Sequence, residues 1–108
     1  MSMQMVVMVF KFNVSSEEYL RTMKPLTVEI LNSPGLRWKI WLVNETQHTV
    51  GGLYLFDDSA FVQTFLDSPL MDRLQHHPAF TEFRVMPFEV LEPETRSTHG
   101  PLGAGMRV

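Results

Sequence analysis

Aromatic, basic and imidazole side chains are concentrated between residues 38 and 54 of the sequence. They are Trp38, Lys39, Trp41, His48 and Tyr54. His48 could act as a general base, because an imidazole gains and loses a proton near neutral pH. Tyr54 could donate a hydrogen bond to a substrate oxygen, and the indole rings could form the wall of an apolar pocket. With Lys39 attracting an anion, these residues could bind a small molecule and take a proton from it.

Each of these side chains also has a purely structural interpretation. Trp38 alternates with apolar residues, which is typical of a core position, whereas Trp41 alternates with cations, which suits an interface or a pocket with a polar mouth. His48 lies in a turn, the Tyr54 hydroxyl could simply reach water, and Lys39 could be a solvated lysine on a strand. Because Trp38 and Trp41 point to opposite faces of one strand, we expect at most one of them in a given pocket.

Other common kinds of site find little support in the sequence. The chain has no cysteine, which excludes thiolate metal sites and thiol nucleophiles. Adjacent histidines on a helix point about 100° apart, so the pair His76 and His77, with His99 further on, does not predict a metal site. We expect no metal and no bound cofactor. A net charge of −3 with scattered cations also argues against a nucleic-acid partner.

The spacing of apolar and turn residues predicts the order strand, helix, strand, strand, helix, strand. The predicted strands are 4–12, 36–43, 49–56 and 81–92; the predicted helices run from 16 to about 31 and from a cap at 57–59 to 66, with a short further piece at 70–76. Pro25 is expected to kink the first helix, and Pro87 favours an edge strand or a bulge. The pair Gly51 and Gly52 within a strand indicates a bulge or a close approach to the backbone.

This order predicts an α+β, ferredoxin-like βαββαβ domain, with a four-stranded antiparallel sheet and two helices on one face. With 108 residues and 44% hydrophobic side chains, we expect one domain over residues 1–93 and a C-terminal tail or arm over 94–108. The first and last strands are apolar on both sides, which would leave the helix-free face uncovered. Two such sheets packed face to face would bury it, so we expect a homodimer, the dimeric α/β-barrel arrangement.

The N-terminal residues and the lengths of the apolar runs indicate where in the cell the protein is located. Met1 to Phe12 has no basic start and no small-residue cleavage site, and no apolar run approaches the roughly 20 residues that span a bilayer. We therefore expect a cytoplasmic protein without a membrane partner.

Two segments of the central hairpin resemble the signature of the YdhR-like monooxygenases: residues 34–41, PGLRWKIW, and residues 48–57, HTVGGLYLFD. The Lys24-Pro25-Leu26 segment is similar to the same family, and the resemblance extends to about Pro93. It implies a cofactor-independent monooxygenase that uses dioxygen on a small aromatic or polyphenolic substrate. In such a reaction the substrate supplies the electrons, after deprotonation in a dry pocket.

Two alternatives remain open from the sequence. The same base and apolar walls could serve a cyclase, isomerase or dehydratase that uses no oxygen. The chain could also be a non-catalytic dimer that binds a hydrophobic metabolite, because fold does not determine chemistry.

Overall fold

The computed structural model describes residues 2–102. Its elements are β1 (Gln4–Phe12), α1 (Ser16–Met23), α2 (Thr27–Leu31), β2 (Leu36–Asn44), β3 (Thr49–Phe56), α3 (Ser59–Leu66), α4 (Pro69–Gln75), β4 (Phe80–Glu89) and α5 (Glu92–Ser97), with a 3-10 turn at Lys24–Leu26 between α1 and α2. The strands form one antiparallel sheet in the order β2-β3-β1-β4. The predicted α+β, ferredoxin-like fold is confirmed.

The main core lies between the sheet and the helices α1 to α4. Alternate residues of β1 point into it, and among them Phe10 is almost fully buried. The Phe10 ring lies 4.4 Å from the ring of Phe83 and 5.0 Å from that of Phe80, measured between ring centres. The Tyr19 ring of α1 packs on the same cluster, with its centre 5.9 Å from that of Phe80. This aromatic layer fixes α1 against the sheet.

The two prolines act much as the sequence suggests. Pro25 lies in the 3-10 turn that separates α1 from α2, so the predicted single helix is two short ones. A proline removes a backbone donor and clashes with the preceding turn, which explains the break. Pro87 lies on β4, an edge strand, where a missing donor is tolerated.

One expectation about β2 is wrong at its first residue. The alternation predicted Leu36 and Trp38 on one face, but the register between β2 and β3 shifts between these two residues. Leu36 therefore packs on the main core, whereas Trp38 lies on the helix-free face with Leu55. A bulge adds one residue to a strand and so reverses the side on which the following residues fall. The face of Trp38, Ile40 and Leu42, expected in the core, is thus helix-free.

The segment that follows β4 packs on its own sheet. The Trp38 indole Nε1–H donates to the Pro101 carbonyl at 2.8 Å, and Leu102 is buried in a small cluster with Met3 and Leu55. The sequence predicted only a tail here, whereas α5 forms a short helix. Residues 103–108 of the predicted tail lie outside the described residues.

The rest of the helix-free face is open and apolar. Its apolar side chains are Met5, Val7 and Val9 on β1, Ile40 and Leu42 on β2, Leu53 on β3, and Met86 and Phe88 on β4, and the cations Lys11 and Arg84 lie at one end of the same face. Phe88 is 48% exposed and Ile40 is 43% exposed. Within residues 2–102, no helix has the length and apolar composition needed to cross a membrane.

Candidate functional site

Three of the five residues singled out from the sequence meet on the helix-facing side of β2 and β3. Lys39 of β2 lies opposite Tyr54 of β3, and Trp41 lies opposite Gly52. All four therefore share one face of the sheet, with α1 above it. We call Lys39, Trp41 and Tyr54 the hairpin triad.

The glycine pair makes room for this arrangement. A Cβ on Gly52 would lie 2.7 Å from Cε of Lys39 and 2.7 Å from the Ile40 carbonyl oxygen, so the stem of Lys39 passes over the bare glycine. A Cβ on Gly51 would overlap the Met8 carbonyl of β1. Pairing of β1 with β3 continues through both glycines without a shift in register. The two glycines therefore permit a close approach, of Lys39 to Gly52 and of β1 to Gly51. They do not form a bulge, which was the other possibility that the sequence suggested.

The Lys39 ammonium nitrogen lies between two aromatic rings. Nζ is 3.3 Å from the centre of the Trp41 ring and 4.7 Å from the centre of the Tyr54 ring. Within residues 2–102, the acidic side chains form their ion pairs with other cations. Burial without a carboxylate partner disfavours the charged form and lowers the pKa of Lys39 to about 7. Near neutral pH this amine can therefore give or take a proton.

Two clefts flank the Trp41 indole, which is 38% exposed. The first has a volume of about 250 Å³ and is lined by Ser16, Tyr19, Leu20, Trp41, Leu42, Val43 and Glu45. The second has a volume of about 370 Å³ and is lined by Leu20, Met23, Lys24, Thr27 and Trp41. Trp41 and Leu20 thus form a wall common to both. The two clefts together provide a mostly apolar space between β2 and α1 for a planar molecule.

Tyr19 is a further candidate residue, which the sequence pattern placed only in the apolar stripe of the first helix. The side chain is almost fully buried and lines the first cleft. Its hydroxyl has no hydrogen-bond partner within the described part of the chain. Burial raises the pKa of Tyr19 to about 12. Burial also raises the pKa of Tyr54, and the nearby Tyr19 raises it further, so both hydroxyls keep their protons near neutral pH.

His48 and Trp38 lie away from the hairpin triad. His48 is exposed in the turn between β2 and β3, where its backbone has a φ of 49° and its carbonyl accepts from the Phe12 N–H at 3.0 Å. Its ring packs on that of Phe12 at 5.9 Å between centres and lines neither cleft. Trp38 is on the opposite face of the sheet, where it borders an apolar cavity of about 500 Å³.

The remaining histidines of interest make local contacts. The His76 ring contacts the Asp72 carbonyl at 2.8 Å, and Nδ1 of His77 accepts from the Ala79 N–H at 3.1 Å. Over residues 2–102, no three histidine or carboxylate side chains come together as metal ligands would.

Solved structures with the same fold include enzymes of different chemistry. A variant of SnoaB, a cofactor-independent oxygenase from Streptomyces nogalater, aligns with a TM-score of 0.68 at 13% identity, over 85% of this chain and 96% of that chain. Protein SO0527 from Shewanella oneidensis gives 0.68 at 14% identity, over 82% and 91%. The heme-degrader MhuD from Mycobacterium tuberculosis gives 0.65 at 14% identity, over 82% and 95%. At these identities the likeness establishes the fold.

A protein-family model also matches the sequence. The family described as "Putative mono-oxygenase ydhR" matches residues 5–101. The match extends past Pro93, where we expected the family resemblance to end, and takes in α5 and the segment that packs on Trp38. No curated protein matches the chain in sequence.

Proposed function

This chain belongs to the ydhR mono-oxygenase family, and from that premise we propose that it inserts oxygen into a small aromatic substrate bound at the hairpin triad. The observation that carries the proposal is the half-buried amine of Lys39 against the rings of Trp41 and Tyr54, next to two clefts that Trp41 lines. These clefts are lined mainly by apolar groups, as a dry site for an electron-rich ring requires.

The proposed substrate is a phenol or polyphenol that supplies its own electrons. Loss of the hydroxyl proton raises the electron density of the ring, which can then reduce dioxygen. One oxygen atom becomes a ring carbonyl, the other leaves as water, and the phenol becomes a quinone. The role we propose for the protein is to bind the ring, handle the proton and exclude solvent, with no bound redox cofactor.

We also propose that two copies of the chain pair through the helix-free face. That face is apolar on all four strands and carries several large side chains that are 39% to 55% exposed. Monomeric proteins seldom leave a patch of this size in water. A second copy offers an identical apolar face, so a two-fold axis would bury both at once.

Oxygen uptake tests the proposed reaction. Purified protein is incubated with a panel of phenols, polyphenols and anthrone-like compounds while dissolved oxygen and product mass are followed. We expect uptake with a product that gains one oxygen atom. Trp41→Leu should lower kcat/KM about tenfold by removing the shared wall of both clefts, whereas Trp38→Phe, on the other face, should leave it within about twofold.

The same assay separates the alternatives. Conversion of a panel compound without oxygen uptake would contradict the proposed oxygenation and would indicate a cyclase or isomerase that acts at the same site. Tight binding without conversion across the panel would favour a non-catalytic binder of a hydrophobic metabolite. Equal losses in Trp38→Phe and Trp41→Leu would contradict the placement of the site.

A further inference from the structure

Lys39 is set up differently from the other cations of the described chain. Its amine is held over two ring faces rather than against a carboxylate, whereas Arg21, Arg37, Arg73 and Arg96 each pair with an acidic side chain. Ring faces favour the ammonium form, and burial favours the neutral amine. The two effects leave an amine that changes charge readily. Lys39 is not itself among the lining residues, but its amine lies against Trp41, the ring that lines both clefts.

The Tyr19 hydroxyl provides a second, independent observation. A buried hydroxyl without a partner destabilises the fold, so such groups are rare in proteins unless a ligand or water completes them. Tyr19 lines the cleft beside Trp41, and its hydroxyl is the one buried side-chain polar atom without a partner in the part of the chain that the structure describes. Its raised pKa keeps it protonated, and therefore a donor.

We infer that Lys39 takes the proton from a substrate hydroxyl and that Tyr19 donates a hydrogen bond to the oxyanion that remains. The inference rests on the proposed function and narrows its substrate class to phenols or enols bound as their anions. The O–H bond of the substrate breaks and an N–H bond forms on Lys39, while the electron pair stays on the substrate oxygen. The ammonium then pairs with the oxyanion in a site of low polarity.

The other titratable groups around the hairpin triad do not compete for this proton. Tyr54 on β3 and Tyr19 on α1 both remain protonated near neutral pH. Lys24, in the 3-10 turn, is exposed at the far cleft. Glu45 lies just beyond β2 and accepts a hydrogen bond from the Ser16 hydroxyl at 2.7 Å.

The test is anaerobic binding of 4-cyanophenol, whose anion has a shifted ultraviolet absorption. Without oxygen no turnover follows, so the outcome is independent of the proposed oxygenation. We expect the bound probe to show the anion spectrum at a pH where the free probe is neutral. Lys39→Met should lose this spectrum, and the matched control Lys11→Met, on β1 and outside both clefts, should keep it. A neutral probe bound to the wild type, no binding, or an anion bound to Lys39→Met would each overturn the inference.

The pH dependence of affinity distinguishes proton transfer from simple charge pairing. Above the Lys39 pKa of about 7 and below that of the phenol, a neutral amine meets a neutral phenol, so the wild-type affinity should be level. Below pH 7 the wild-type affinity should fall about tenfold per pH unit. Lys39 is then already protonated, so the proton of the phenol must be released to solvent. Lys39→Arg is always charged, so its affinity should instead rise about tenfold per unit up to the pKa of the phenol. An identical slope in both proteins would contradict proton transfer.

Tyr19→Phe tests the proposed donor by two measurements, phenol affinity and thermal stability, which should respond differently. Removing the hydroxyl should weaken binding of the phenol anion about tenfold, which is the worth of one hydrogen bond to a charged group. The same change should leave thermal stability unchanged or raise it, because an unsatisfied buried group is removed. Loss of stability with unchanged phenol affinity would show that Tyr19 is structural only.

Discussion

Replacing Lys39 with methionine is expected to lower kcat/KM for oxygen uptake by about 100-fold or more. General base catalysis contributes roughly 10²- to 10⁴-fold, and methionine keeps the length and apolar stem of the side chain while removing the amine. Because the stem passes over Gly52, the hairpin should still pack around it. The measurement is oxygen uptake under steady-state conditions at neutral pH.

Two control variants make the result specific to Lys39. Lys11→Met removes a cation from β1, outside both clefts, and His48→Ala removes the imidazole from the hairpin turn. Both should stay within about twofold of the wild type. A large loss in His48→Ala, with full activity in Lys39→Met, would move the base to the turn and contradict the assignment.

Adding charge to the helix-free face is expected to separate the proposed dimer into monomers. The variant carries Ile40→Glu and Phe88→Glu, on β2 and β4 at opposite edges of the sheet. Each glutamate would be buried without a partner when a second copy docks, which costs several kcal/mol and should raise the dissociation constant at least about 100-fold. Sedimentation equilibrium over a range of concentrations measures it.

The matched control for the dimer lies on the other side of the molecule. Val28 on α2 is 63% exposed, so Val28→Glu adds a similar charge at a similarly accessible apolar position. It should leave the mass in solution unchanged. A wild-type protein that sediments as a monomer at micromolar concentration would contradict the proposed pairing.

Much of the fold follows from short-range patterns. Apolar runs bounded by polar turn residues predicted β1 and β3 at their observed bounds. The side-chain oxygens of residues 13–16, followed by two glutamates, predicted that the first helix begins near Ser16, and the structure has the N-cap at Ser15. The same alternation placed Trp38 and Trp41 on opposite faces, as the structure has them.

Other features depend on contacts that the sequence does not display. The bulge that separates Leu36 from Trp38 has no local signal, yet it decides which face each side chain takes. The helix α5 is short and polar, without an apolar stripe. It forms beside a segment that packs through Pro101 and Leu102 on β2 and β3, and such long-range packing overrides weak local preference.

The candidate site, too, could be predicted only in part from the sequence. The glycine pair signalled a close approach in the hairpin but not that Lys39 would be the group that makes it. The sequence offered Lys39 only as a group that attracts an anion or as a solvated strand lysine, because burial and loss of charge cannot be read from strand periodicity. Tyr19 was indistinguishable from its apolar neighbours on α1, since only the structure shows that its hydroxyl has no partner in the described chain.

The two tryptophans on opposite faces allow one direct measurement on the wild-type protein. Each indole N–H gives its own peak in an amide-region ¹H–¹⁵N spectrum, and Trp38→Phe assigns the pair. Titration with a phenol under anaerobic conditions should shift the Trp41 indole peak and leave that of Trp38, which donates to Pro101, in place. A shift confined to Trp38 would place the ligand on the helix-free face and contradict a site at Lys39, Trp41 and Tyr54.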